Sequence, residues 1–226
     1  MTIRQAMSAM LALALLAGCK VETQHEVFVS ELRDVVSGVQ AEGEIKSTFR
    51  VSTPTMENCE RYRPQITAIF ARYHDGVSPG ECVRADQFVN ITFIATSRIM
   101  KFDAPTLPGK NVFSLGVRQG PSADTMHLFG LVDRARLAQL QTEIRAIGGD
   151  VAREVITFEL ITMVLNNDTG GTVQLQAPSA FINREPALTV NLDVPRRSRL
   201  EMRLSDVAAA QLGRTGQVFV AIMVQK

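Results

Sequence analysis

The carboxylates that could act as general acids or bases lie apart along the chain. Glu57 and Glu60 are three residues apart on one predicted helix, a spacing that could in principle form an acid–base pair. Near the start of a helix, however, two glutamates more often simply stabilise the helix dipole. Asp124, Asp150 and Asp168 fall in predicted turns, where aspartate is favoured for its hydrogen bonds to the backbone. No D-x-D-x-D-G loop typical of calcium binding is present.

The three histidines, His25, His74 and His127, are also far apart in sequence. Helix capping or exposure at the surface is the simpler explanation for each of them. The chain contains no G-x-S-x-G, S-x-x-K, H-E-x-x-H, Walker A or G-x-G-x-x-G pattern. We therefore predict a protein that is not an enzyme, with no catalytic residues, no metal site and no cofactor.

The densest positive charge is the group Arg196, Arg197 and Arg199, which follows Pro195. Guanidinium groups bind carboxylates and phosphates through paired hydrogen bonds. The group could therefore form a patch for anionic lipid headgroups, lipopolysaccharide or an acidic partner. A solvated turn beside a strand is the simpler alternative.

The first nineteen residues have the pattern of an export signal. Arg4 supplies a positive charge, and residues 7–16 form an apolar run that only Ser8 interrupts. A run of about ten residues is too short to cross a hydrocarbon core, which needs roughly 20. It suits a cleaved signal peptide, and small residues followed by Cys19 come directly after it.

Residues 16–19, Leu-Ala-Gly-Cys, resemble the lipobox of bacterial lipoproteins. The resemblance implies removal of residues 1–18, a diacylglyceryl thioether on Cys19 and usually an acylated amino group. Two or more acyl chains anchor a protein stably in a membrane. In many Gram-negative lipoproteins an aspartate after the cysteine implies retention at the inner membrane, so Lys20 favours the outer membrane, facing the periplasm. Residues 19–29 would then form a short lipid-anchored tether.

The resemblance also bears on the other two cysteines. With Cys19 assigned to lipid, Cys59 and Cys82 remain as an even pair in an oxidising compartment, which predicts a disulfide. A metal site is the alternative, but Cys-x14-His-x7-Cys around His74 matches no common zinc spacing.

Charge and composition exclude some classes of partner. The chain has 24 basic and 23 acidic residues, and loss of Arg4 with the signal would leave 23 of each. Nucleic-acid binding usually requires a basic excess, so we predict no nucleic-acid partner. The absence of tryptophan and the presence of only two tyrosines weaken the case for an aromatic sugar-binding platform.

Periodicity predicts an α+β fold, with one or more mostly antiparallel sheets and three or four short helices. Apolar and polar residues alternate over residues 45–51, as in a strand with one buried face. Good N-cap residues predict the starts of helices. They are Ser30, Asp133 and Ser205, and Pro54 and Thr55 open a further helical segment. We expect residues 30–226 to form a single body, with a division near residues 103–111, rich in proline and glycine, as the alternative.

These observations favour a lipid-anchored protein that works by contact with another protein of the cell envelope. Residues 30–226 also resemble small lipoproteins of phage and prophage origin that have no assigned activity. That resemblance implies a role such as superinfection exclusion, in which an anchored protein blocks an outer-membrane receptor. Such a role would need an exposed apolar patch or an unpaired strand edge.

Two other functions remain as alternatives. A small-ligand or lipid carrier would have an apolar cavity between sheet and helices. An envelope hydrolase would have residues dispersed in sequence but joined in a deep pocket. The residues that could meet there are Glu57, Glu60, His74, Asp124 and His127.

Overall fold

The computed structural model describes residues 21–85, 88–103, 109–148 and 160–226, which are mainly β-strands. The strands are β1 (Val21–Phe28), β2 (Glu42–Thr53), β3 (Glu81–Ala85), β4 (Phe88–Lys101), β5 (Phe113–Gln119), β6 (Thr125–Val132), β7 (Leu160–Asn166), β8 (Val173–Ile182), β9 (Glu185–Val194), β10 (Arg199–Leu204) and β11 (Gln217–Gln225). The helices are α1 (Val29–Ser37), α2 (Met56–Tyr73), α3 (Arg134–Ala146) and α4 (Asp206–Thr215).

Nine of these strands form a sheet that closes on itself. Neighbours follow the order β10-β7-β1-β2-β4-β5-β6-β11-β8, and β8 pairs in turn with β10. Pairing among the described strands is parallel between β1 and β7 and between β4 and β5, and antiparallel elsewhere. Within the same residues, β3 and β9 lie outside the ring and pair only with β4 and β8, respectively.

The buried face of the sheet is its interior. On β2, side chains such as Ile45, Phe49 and Val51 are buried while their neighbours along the strand are not, as the period of a strand requires. The ring of His25 on β1 stacks on that of Phe113 on β5, three strands further along the sheet, with 3.9 Å between centroids. A contact across that many strands requires the sheet to curl around it, so this face points inward.

Three helices begin where the sequence predicted, and each has a capping side chain. The Thr55 side chain accepts a hydrogen bond from the Asn58 backbone N–H (3.1 Å) at the start of α2. Asp133 does the same at α3, and Ser205 does so at α4. These side chains satisfy backbone donors that have no partner inside the helix.

The start of α1 differs from its prediction. Ser30 was expected to cap this helix, but it lies inside the first turn, and Phe28 occupies the capping position without a side-chain cap. The Ser30 backbone N–H and hydroxyl both donate instead to the carboxylate of Asp168. Asp168 therefore ties the start of α1 to the turn between β7 and β8. The helix ends at Gly38, because this glycine adopts a left-handed φ of 81°.

The α+β class predicted from the sequence is wrong, because the fold is mostly β and its sheet closes on itself. The predicted tether over residues 19–29 is also wrong for residues 21–28, which form β1 between β2 and β7. Val21 and Val27 are fully buried there. The alternative boundary at residues 103–111 falls largely outside the described residues.

Candidate interaction surface

Among the described strands, the outer side of β9 is an open sheet edge. This ten-residue strand pairs with β8 along its length, and no other described strand pairs with it. At about 3.4 Å per residue the edge is roughly 34 Å long. Leu188 in its middle is 88% exposed, more than any other large apolar side chain in the described ranges. An unpaired edge with an exposed apolar residue can accept an extended segment of another chain.

Backbone strain is concentrated at the two ends of β9. Among described residues other than glycine, only Asn183, Arg184 and Arg197 have positive φ values. Asn183 and Arg184 form the two-residue turn before β9, and Arg197 lies in the turn after it. Left-handed backbone costs a residue such as arginine about 1–2 kcal/mol, whereas glycine adopts it freely. Two arginines therefore occupy positions around β9 that the backbone alone would assign to glycine.

The predicted arginine group lies in the turn between β9 and β10. The side chains of Arg196, Arg197 and Arg199 are all exposed. The side chain of Asn167, which is buried, fixes this turn by donating to the Val194 carbonyl (2.8 Å). No ion pair joins these arginines to the described carboxylates. The group is thus a positively charged turn on a rigid base.

Strand register places this turn at one end of the closed sheet. Arg199 pairs with Asn166, and Asn166 pairs with Phe28, the last residue of β1. Val21, the first residue of β1, lies seven residues away, or about 23 Å at the rise of a strand. We call these two sides of the molecule the Phe28 end and the Val21 end. The arginine group belongs to the Phe28 end.

The structure does not bring the predicted acid–base residues together. Glu57 and Glu60 are exposed on α2 and pair with Arg61 and Arg63 of the same helix. Asp124 is exposed in the turn between β5 and β6, and its backbone carbonyl accepts the Gln225 N–H.

His127 is half-buried on β6, and its ring packs edge-on against Phe219. His74 is buried between the rings of Phe49 and Phe70. None of the contacts among described residues joins either histidine to the carboxylates at 57, 60 or 124. The pocket that a dispersed hydrolase would need is therefore not formed by these five residues.

His25 and His74 are buried, in contrast to the surface positions expected from the sequence. The His25 Nδ1 lies 2.7 Å from the Ser47 hydroxyl, which donates to the Ser97 hydroxyl at 2.7 Å. Burial lowers the pKa of His25 to about 3, and the nearby His74 acts in the same direction. Burial lowers the pKa of His74 to about 3 as well. Both rings are therefore neutral at ordinary pH.

The histidine–serine contact resembles a base beside a nucleophile, but its surroundings do not suit catalysis. His25, Ser47 and Ser97 are completely shielded from solvent, so no substrate can reach them. The Nε2 atom of His25 has no hydrogen-bond partner among the described residues. A third group that orients the base, as in hydrolase triads, is thus missing from its described neighbours. This cluster is a polar part of the core.

Cys59 and Cys82 are bonded to one another, with a Cα–Cα distance of 5.9 Å. Cys59 lies in the first turn of α2, and Cys82 lies on β3. The bond therefore attaches the short strand β3, which pairs on one side only among the described residues, to a helix packed on the core. Cys19, the predicted lipidation site, and Asp150 lie outside the described residues.

The carrier hypothesis requires a cavity, and large side chains such as Phe49, Phe70 and Phe93 fill the space between the sheet and α2. A cleft of about 800 Å³ lies instead between α3 and α4. Leu137 and Leu212 line it together with charged groups such as Arg134 and Arg203. A mixed lining of this kind does not match the apolar cavity that was expected.

Sequence reasoning missed β9 as an edge and Leu188 as its exposed residue. The place of a strand in a sheet depends on pairings between distant segments. His25 was missed for a different reason. The buried positions of β1 are 21, 23, 25 and 27, but only the first and last of them carry apolar residues, so the sequence alternates too weakly to identify a strand.

No helix in the described residues is both long and apolar enough to span a membrane. The same residues contain no cluster of three or more histidine, cysteine or acidic side chains that could hold a metal ion. A family profile described as a domain of unknown function matches residues 21–226. No curated protein matches the chain.

Proposed function

Because the chain belongs to DUF7424, a family of domains of unknown function, we propose a role drawn from its own surface. The protein is a lipid-anchored lipoprotein of the cell envelope that acts by contact with another protein. Its anchor is the lipid on Cys19, and its location is the periplasmic face of the outer membrane. Blocking an envelope receptor, as in superinfection exclusion, is one form that such contact could take.

The observation that carries this proposal is the open edge of β9 with Leu188 at its centre. Proteins usually protect such an edge with charges, prolines or a covering segment. Here Pro186 and Glu185 lie at one end, and Asp193 near the other end is neutralised by Lys226 (2.6 Å). The middle of the strand carries no charge. It is therefore open to an added strand, with Leu188 as the apolar contact.

The charges around β9 favour an acidic partner. Arg196, Arg197 and Arg199 follow the strand, and none of them pairs with a described carboxylate. The lipid on Cys19 would hold the Val21 end toward the membrane, because only Lys20 lies between Cys19 and Val21. The arginines at the Phe28 end would then face away from the membrane. We therefore identify the partner as an extended, acidic segment of an envelope protein.

Photo-crosslinking in cells tests this proposal on the full-length protein. p-Benzoylphenylalanine in place of Leu188 should crosslink one envelope protein, and the crosslinked peptide should be acidic and extended. The matched control carries the same group in place of Val207, which is 78% exposed on α4. Val207 should give no such adduct, because it lies outside the proposed surface.

Charge reversal then separates the edge from the arginine group. Replacing Arg196, Arg197 and Arg199 by glutamate should reduce the adduct from position 188 by roughly tenfold, the effect of losing about 1.4 kcal/mol of charge complementarity. Equal crosslinking from positions 188 and 207 would contradict the proposed surface. An adduct that survives charge reversal would contradict the acidic partner.

A further inference from the structure

A second cleft, of about 570 Å³, lies on the outer face of the closed sheet, where β1, β7 and β10 run side by side. Arg203 of β10 pairs with Thr162 of β7, which pairs in turn with Gln24 of β1. All three residues line the cleft, as a row across neighbouring strands. Met202 and Leu204 on either side of Arg203 are buried, so Arg203 itself points outward.

The cleft holds charges of both signs, and three of them have no ion-pair partner among the described residues. Glu22 and Arg50 line one part of it and approach each other to 3.9 Å. Arg184, Glu201 and Arg203 line the cleft as well. No ion pair joins any of these three to the described residues. Unpaired charges of both signs in one cleft suit a ligand that also carries both signs.

An aromatic ring holds the Arg203 side chain in place. Its guanidinium carbon lies 3.9 Å from the centroid of the Phe181 ring. The ring covers one face of the guanidinium and leaves the N–H donors at its edge available. Glu201 lies two residues earlier on the same face of β10, and both charged side chains are half-buried. The two opposite charges therefore start from Cα atoms about 7 Å apart on one wall of the cleft.

Arg184 contributes to the cleft from a strained backbone position. It is the second residue of the turn between β8 and β9 and has a φ of 75°, a value that favours glycine. Asn183 fastens this turn to β10, since its backbone N–H donates to the Glu201 carbonyl (3.0 Å) and its side-chain oxygen accepts the Glu201 N–H (3.4 Å). An arginine kept in such a position beside a cleft indicates that its side chain is used there.

We infer that this cleft binds a phosphoethanolamine group. Arg184 and Arg203 donate hydrogen bonds to the phosphate oxygens, and the Glu201 carboxylate accepts those of the ammonium. A simple anion would leave Glu201 unpaired beside it, and a simple cation would lie against two guanidinium groups. A zwitterion with a short linker avoids both costs. The inference goes beyond the proposed contact with an envelope protein and does not depend on it.

The phosphoethanolamine group has two possible sources, a lipid headgroup and a soluble molecule. Gln24 in the row across the cleft is three residues from Val21, so the cleft lies at the Val21 end. This is the end that a lipid on Cys19 would hold toward the membrane. A headgroup could therefore reach the cleft from the bilayer.

Titration of the full-length lipidated protein in dodecyl maltoside micelles tests the inference. O-Phosphoethanolamine, inorganic phosphate and ethanolamine are each added, and binding is measured by isothermal titration calorimetry. We expect O-phosphoethanolamine to bind about tenfold more tightly than either of the other two, because it alone pairs with charges of both signs. Equal affinity for inorganic phosphate would overturn the inference, and so would the lack of any binding of O-phosphoethanolamine.

Arg184→Gly separates binding from stability. Loss of this guanidinium should weaken O-phosphoethanolamine binding by about tenfold. The urea midpoint of unfolding should not fall, since glycine adopts the left-handed backbone freely. Arg197→Gly is the matched control, because Arg197 also has a positive φ, of 58°, but lies in the turn after β9, outside the cleft. Its affinity should be unchanged.

Glu201→Gln tests the ammonium side of the cleft. It should weaken O-phosphoethanolamine binding by about tenfold and should not weaken binding of inorganic phosphate. Circular dichroism checks that each variant is folded. Unchanged affinity for O-phosphoethanolamine in Arg184→Gly or in Glu201→Gln would overturn the inference.

Nanodiscs distinguish the two sources of the group. In phosphatidylethanolamine discs the headgroups should compete for the cleft and weaken O-phosphoethanolamine binding by about tenfold relative to phosphatidylglycerol discs. That result would assign the cleft to a lipid headgroup, whereas equal affinity in both discs would assign it to a soluble ligand. Failure of the protein to enter either disc would contradict the lipid anchor of the proposed function, and the titration in micelles would still decide the cleft.

Discussion

Polar residues occupy two contrasting places in this molecule, the interior of the closed sheet and the edge around β9. Inside, His25, Ser47 and Ser97 form a short chain of hydrogen bonds that solvent cannot reach. At the edge, Leu188 is exposed in the middle of β9, and the arginines in the turn after this strand stand in solvent without partners among the described carboxylates. The interior groups are bound into the fold, whereas the edge groups are free to bind something else.

The difference indicates where stability and function reside. A buried polar group is tolerated only while it is neutral and mostly hydrogen-bonded, so the interior should be sensitive to protonation and to packing. Exposed groups contribute little to stability, and changes to them should alter contacts with partners instead. Four predictions test this division, in order of decreasing effect on the free energy of unfolding.

Acid should destabilise the protein through its buried histidines. The pKa of His25 and of His74 is about 3 in the folded state, below the value of 6.5 expected when unfolded. The unfolded chain therefore takes up protons as the pH falls below 6.5, and stability is lost between about pH 6.5 and 3. At about 1.4 kcal/mol per pH unit, each histidine should cost roughly 3 kcal/mol by pH 4. Urea unfolding at pH 7 and pH 4 measures this loss.

Single variants assign the acid effect. His74→Gln removes one of the two buried titrating groups and should roughly halve the loss between pH 7 and pH 4. His127→Gln is the control and should retain the full loss, because His127 lies on the outer face. The pKa of Glu31 is raised by burial and by nearby carboxylates. Protonation of this group as the pH falls therefore stabilises the folded state and opposes the loss caused by the histidines. An unchanged loss in His74→Gln would show that the buried histidine does not carry the effect.

Packing in the interior should matter almost as much. Phe49 is completely buried and packs against the rings of Phe70 and Phe93, with centroids 5.4 and 5.5 Å away. Phe49→Ala should reduce the free energy of unfolding by about 3–5 kcal/mol, since it leaves a cavity among close-packed rings. Denaturant unfolding at pH 7 measures the loss. A change below 1 kcal/mol would mean that this part of the interior is loosely packed.

The disulfide joins a helix packed on the core to an edge strand, so its effect should be intermediate. Replacing both Cys59 and Cys82 by alanine should cost roughly 3 kcal/mol, mainly because the unfolded chain regains its loop entropy. Hydrogen exchange should increase most in β3, which pairs only with β4 among the described strands. Reducing agent should destabilise the native protein and leave the double variant unaffected. Equal sensitivity of both proteins to reduction would contradict the assigned role of this bond.

Local patterns predicted much of the secondary structure but not its assembly. The caps at Asp133 and Ser205 and the helix start at Thr55 depend on neighbouring residues only, and the structure confirms all three. Closure of the sheet depends on β8 pairing with β11 over residues 173–176 and with β10 over residues 180–182. Such pairings join distant segments, and no local spacing records them. The α+β class was wrong for this reason.

The surface was predictable to the same limited extent. The group Arg196, Arg197 and Arg199 is visible in the sequence because its members are neighbours. The open edge of β9 is not visible, since a strand is an edge only by virtue of its place in the sheet. Residues 21–28 were mistaken for a tether because the polar residues between Val21 and Val27 concealed an alternating pattern. Polar side chains on the outer face of a strand and in a linker look alike in composition.

The smallest effect on stability is expected at the edge, where the effect on contact should be largest. Leu188→Lys places a charge in the middle of β9, the device by which natural edges avoid pairing. The side chain is already in solvent, so the free energy of unfolding should change by less than about 0.5 kcal/mol. Because position 188 now carries lysine, the photoreactive group is placed at the exposed neighbour Thr189. Leu188→Lys should abolish the crosslink to the partner from this position. Val207→Lys on α4 is the matched control and should change neither quantity. A loss of stability at position 188 as large as that at Phe49 would erase the distinction between edge and interior, and would make Leu188 part of the core.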